Sequence, residues 1–163
     1  MYQVGDLILY GRTGVCCVKE IVEDKNGTKF YTLCPLYQNC NISSPVGSGK
    51  VYSRPIITRE EAEALIAQMP SVAAQPYYNR NLNQLREYYR SQLESPDCAT
   101  LILLVKSLYV KKKEAEEQKR KFGAVDERFM KEAENLLFGE FAAALDIERD
   151  EVEKYIAKKL AQS

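Results

Sequence analysis

The chain has no histidine and no tryptophan, no Cys-x-x-Cys pair, and no excess of charge of either sign among its 163 residues. Each absence excludes something. Without imidazole there is no Ser-His or Cys-His nucleophile arrangement and no histidine-containing zinc site. The five cysteines, at 16, 17, 34, 40 and 98, follow no metal-ligand spacing. Cys16 and Cys17 are neighbours on an expected strand, so their side chains point to opposite faces and do not pair with each other. All five are expected reduced, as small and partly buried hydrophobes. Neither glycine signature of a phosphate cradle occurs, and the carboxylates are scattered along helix faces. The expectation is a protein that is not an enzyme, with no catalytic residue, no metal and no cofactor. No stretch approaches the roughly 18 to 20 apolar residues of a membrane span, and the opening MYQVGD lacks the regions of a signal peptide. A cytoplasmic protein with no membrane partner is expected.

What is present is an ordinary globular composition, 45% hydrophobic and 28% charged, with 23 cations balanced by 23 anions. The charge is unevenly placed. Residues 1–79 carry seven of each sign, residues 80–121 carry ten Lys/Arg against six Asp/Glu, and residues 122–163 reverse this to six against ten. A neutral head, a basic middle and an acidic tail follow.

The head reads as β. Leu7 to Tyr10 and Val15 to Val22 are apolar runs bounded by glycines. Asp24-Lys25-Asn26-Gly27 is a hairpin turn, and Lys29 to Cys34 forms a third strand. Fourth and fifth strands are expected at about 39–43 and 50–53. Five short strands this close together suggest a small barrel or a strongly bent sheet. At Thr58 the period changes, because Thr58-Arg-Glu-Glu61 is a capping box and the following helix buries Ala62, Leu65, Ile66 and Met69 before Pro70. Residues 70–80 read as a linker. Four helical segments follow: 81–94, one capped by Asp97 that runs to about Gly123, one starting at Asp126, and one over about 149–160. The fold class expected is α+β, with a β head and closing helix over 1–69 and an all-α domain over 81–163.

Two stretches could carry binding chemistry. Lys111 to Lys113 and Lys119 to Lys121 are cationic, but interleaved glutamates make them a solvated helix face held by i,i+4 pairs. The stretch from Tyr77 and Tyr78 through Arg80, Leu82, Arg86, Tyr88, Tyr89 and Arg90 mixes cations with flat and apolar side chains. It is the better candidate for nucleic acid, with helix packing of Tyr88 and Tyr89 as the plain alternative.

The order of motifs resembles the CarD family of bacterial RNA polymerase-binding transcription regulators (CarD/CdnL-like). Val4-Gly5-Asp6, Tyr10, Gly14-Val15, Glu20-Ile21, Tyr31 to Leu33, Pro45 and Arg54-Pro55 are similar to its N-terminal module. Ser95-x-Asp97, then Glu127-Arg128 with Ala133 and Leu137-x-Gly139-Glu140, are similar to its helical tail. The resemblance implies a Tudor-like β-barrel that binds the RNA polymerase β subunit, with Lys29, Tyr31, Ile42 and Arg54 as partner contacts. It implies a helical domain that touches promoter DNA weakly and without sequence specificity through Arg80, Leu82, Arg86, Arg90 and Arg128, and so adjusts open-complex stability. A monomer is expected. The family's tail carries a Trp where this chain has Leu82, so the alternative is an adaptor that keeps its protein contact and has lost DNA.

Overall fold

A computed structural model describes residues 1–47, 49–94 and 96–161. Five strands, β1 (Leu7–Tyr10), β2 (Gly14–Glu23), β3 (Lys29–Pro35), β4 (Ile42–Pro45) and β5 (Ser53–Pro55), form one antiparallel sheet in the order β4-β3-β2-β1-β5. The expected hairpins are there. Gly11 and Gly14, both at positive φ, make the turn between β1 and β2, which an L side chain would strain. The last two strands lie later than their composition suggested, by about three residues, because pairing with β3 and β1 rather than local propensity sets their limits.

The sheet is open. Edge strands β4 and β5 do not pair, and between them lies a cleft of about 410 Å³ lined by Tyr2, Tyr10, Tyr31, Ser44, Val51 and Ser53. One face of the sheet makes a small core from Ile8, Cys16, Val18, Tyr31 and Leu33. On the other, Leu9 and Val15 are buried, and Leu136 closes on Gly14.

The helical part comprises α1 (Arg59–Gln68), α2 (Leu82–Leu93), α3 (Cys98–Glu117), α4 (Ala124–Leu145) and α5 (Val152–Ala161). Local signals place their starts. Thr58 accepts from the Glu61 amide while Glu61 reaches back to the Thr58 amide, Asn81 caps α2 through the Asn83 and Gln84 amides, and Asp97 caps α3 through Thr100. The Ser95-x-Asp97 pattern begins on a residue outside the described ones. Asp126 does not begin α4; it lies in the first turn, buried, behind an uncapped Gly123.

The boundary expected at 69/70 does not separate two cores. Ala62 and Ile66 of α1 belong to the same buried cluster as Leu85, Leu101, Phe129, Phe141 and Val152. The stretch 70–80 is laid along α3: Lys106 donates to the Met69 and Val72 carbonyls, Lys111 to that of Tyr77, and the Gln75 amide donates to Ser107. α4 is the axis of the molecule, since it packs on α1, α2, α3 and α5 and also against β2.

Candidate nucleic-acid interface and sheet edge

The buried stripe of α2 is Leu85, Tyr89 and Leu93, four residues apart on one face. Leu82, Arg86 and Arg90 occupy the neighbouring row, and Leu82 is 52% exposed on the first helical turn. Leu82 is therefore not a core residue. Tyr89 is, at 1% exposure, and Tyr88 stacks on Tyr77 with ring centres 3.9 Å apart. Of the aromatic pair, one faces the helical core and the other braces the extended segment before α2.

That segment is held by asparagines. Asn79 accepts from the Asn81 amide and donates to Gln84 and to the Tyr77 hydroxyl. The chain thus enters α2 in one conformation, with Tyr78 and Arg80 outward. Opposite, α3 ends where Lys119 takes a left-handed φ of 53° and the Arg120 amide bonds back to the Ala115 carbonyl. This reversal brings Arg120, Phe122 and the first turn of α4 across from α2. The two walls enclose a groove of about 830 Å³ lined by Tyr78, Arg80, Leu82, Arg86, Arg120 and Phe122, with Lys111 and Asp126 in its floor.

Of the expected DNA contacts, the fold brings Arg80, Leu82 and Arg86 into this groove. Arg90 lies a turn further on, paired with Glu87 at 2.7 Å. Arg128 is exposed, against the ring of Phe129, and lines a separate shallow depression on α4 with Glu127 and Lys131. Arg120, which the sequence left inside a mixed charge run, joins the groove; the local signal was Gly123, directly before α4 and three residues before Asp126. Lys111, expected in the same solvated run, is 8% exposed. It pairs with Asp126 at 2.9 Å, and Asp126 also accepts from the Tyr89 hydroxyl. Burial, and then this bond to the carboxylate, push the Tyr89 phenol upward, so it stays a donor.

The four expected partner contacts separate. Lys29 is exposed at the start of β3, and Ile42 is half-buried at the start of β4, whose outer side has no strand partner among the described residues. Tyr31 is 6% exposed, and its hydroxyl accepts from the Tyr2 amide, so it supports the head from inside. Arg54 is not a surface cation. From β5 it turns to α4, donating to both oxygens of Glu140 at 2.6 and 2.8 Å and to the Pro96 carbonyl. Glu140, with no exposed surface, also accepts from the Ile57 amide and the Cys98 thiol. Burial opposes the Arg54 charge, but the bonds to Glu140 outweigh it and raise the guanidinium pKa. One residue before Glu140, a Cβ on Gly139 would meet the Tyr37 ring at 3.1 Å, and the Tyr37 hydroxyl donates to the Gly139 carbonyl. The Gly139-Glu140 pair is thus the seat on which the sheet is fastened to α4.

No group of three or more metal-ligating side chains exists among the described residues, and no described helix is long and apolar enough to cross a membrane. Compared with known proteins, the chain matches no family model and no curated sequence.

Proposed function

We propose that the protein is a transcription regulator that docks on the β subunit of bacterial RNA polymerase through the β4 side of its sheet and sets the Leu82 groove against promoter DNA, changing the lifetime of the open complex. The head is read as a Tudor-like barrel left open between β4 and β5. One observation carries the DNA half: a half-exposed leucine, outside the core stripe of its helix, shares a groove with Arg80, Arg86 and Arg120. Three cations suit phosphates, and an apolar side chain among them suits the edge of an unstacked or widened base step. Contacts of this kind fix position rather than sequence, which favours weak, non-specific binding.

The polymerase half rests on the motif order described above and on the free edge of β4, whose backbone groups are the natural partners of an added strand. The edge is four residues long and ends in Pro45, so it accepts only a short partner strand.

The test is the lifetime of a promoter open complex with Leu82→Trp and Leu82→Ala, together with DNA affinity against salt for Arg86→Ala and Arg120→Ala. A longer lifetime with Trp, a shorter one with Ala, and a salt slope flattened by about one unit per arginine are expected. The adaptor reading is favoured by the anion in the groove's floor, Asp126, and by Glu114 behind its wall, which accepts from the hydroxyl of the lining Tyr78. Polymerase capture with no measurable DNA binding at low salt decides for the adaptor.

A further inference from the structure

Register, not sequence spacing, brings two thiols together on the sheet. Cys17 of β2 and Cys34 of β3 are directly opposed, so their side chains leave the same face. Both are partly buried, while Cys16, on the other face, is fully buried. The kind of pair follows from neighbouring bonds. The Leu36 amide donates to the Val15 carbonyl, which makes 15 and 36 a hydrogen-bonded pair, and two residues along each strand lie 17 and 34. The Val18 amide donates the other way, to Asp6 beside β1, as this alternation requires. Opposed residues of a hydrogen-bonded antiparallel pair have Cα atoms about 5.5 Å apart. That lies inside the roughly 4.4–6.8 Å Cα range of disulfides, while the Cβ atoms of such a pair stand wider than the roughly 3.5–4.5 Å of a relaxed bond, so the bond forms with strain and is readily reduced.

We propose that Cys17 and Cys34 are a dithiol–disulfide couple, oxidised by small-molecule disulfides to a cross-strand bond that staples β2 to β3. The step balances. One protein thiolate attacks a sulfur of the small disulfide, giving a mixed disulfide and one small thiol. The second protein thiolate attacks the protein sulfur of that mixed disulfide and releases a second small thiol. Two protein thiols are oxidised, one small disulfide is reduced, and the two protons go to the departing thiols. Cys98 stands apart, buried and donating to Glu140. Cys16 is withheld too, because burial pushes its thiol up to about 12. Cys40 is exposed and is the natural site of a competing mixed adduct. The bond would tie the central strand pair on which edge strand β4 is carried.

The experiment is oxidation of the folded protein with oxidised glutathione, read by thiol titration, intact mass and tryptic mapping. The proposal expects the Cys40→Ser protein to lose two of its four remaining thiols and two hydrogens of mass, with peptides 13–19 and 30–50 joined. It expects the link to vanish in Cys17→Ser on that background, to reverse with dithiothreitol, and to raise the denaturant midpoint of the wild-type chain. Fragmentation of the joined peptides assigns Cys16 or Cys17 directly, so the result stands even if a variant folds poorly. Glutathione adducts alone, a link that persists in Cys17→Ser, or a joined peptide that fragments at Cys16 would overturn it.

Discussion

Among the described residues, the junction of sheet and helices and the interior of the helical bundle each contain one buried ion pair, and the two are built differently. At the junction, Arg54 and Glu140 come from elements 86 residues apart, and the guanidinium fork meets both carboxylate oxygens. Within the bundle, Lys111 and Asp126 are 15 residues apart on α3 and α4, joined through a single carboxylate oxygen at the floor of the groove. Four donors from three residues converge on Glu140, whereas Lys111 divides its donors among Asp126, the Tyr89 hydroxyl and a backbone carbonyl. A planar fork fixes orientation as well as charge, and an ammonium acts as a point charge. The first pair therefore orients the sheet on α4, and the second closes a helix pair beneath the Leu82 groove. Even Arg54 is not fully satisfied, since its Nε is buried without a partner among the described residues.

The comparison is broken most severely by cutting the chain at the boundary that the linker suggested. A 1–69 fragment takes Ala62 and Ile66 away from their packing partners and leaves Arg54 without Glu140. It should show loss of α1 helicity by circular dichroism and a tendency to associate, because exposed apolar stripes seek cover. Next in size, Glu140→Ala removes the acceptor of four donors with no exposed surface to admit water. A loss of about 3–5 kcal/mol in urea unfolding is expected, the cost of leaving a buried cation uncompensated. Asp126→Ala is milder, about 1–3 kcal/mol, because Lys111 keeps the Tyr77 carbonyl and lies beside the open groove. If Asp126→Ala proved costlier than Glu140→Ala, the roles assigned to the two pairs would be exchanged. Smallest is Leu82→Ala, which should move stability by no more than about 0.5 kcal/mol while altering any DNA readout. A large stability loss there would place Leu82 in the core and remove the groove's apolar element.

How much could be read from the chain alone varies with the range of the interaction. The first three strands and every helix were legible, because alternation, periodicity and caps such as Thr58–Glu61 and Asp97–Thr100 are satisfied within a few residues. So was the row Leu82, Arg86, Arg90, since helical spacing orders it without any tertiary partner. The fourth and fifth strands were placed early because their limits are set by neighbours far along the chain.

Composition and local pattern by themselves determined a β head, a helical remainder, and a Tyr-Arg-Leu segment suited to a surface. Only the tertiary structure decided that Arg54 faces inward to Glu140, that Tyr31 is buried and accepts from the Tyr2 amide, that Lys111 is buried, and that Arg120 returns to the groove. It alone set Cys17 opposite Cys34. The physical reason is common to all five. A cap or an amphipathic stripe gains its free energy from neighbours in sequence. A buried charge or an opposed thiol depends on which distant element packing brings to it, and the same arginine, tyrosine or lysine has one meaning in water and another against a carboxylate in the core.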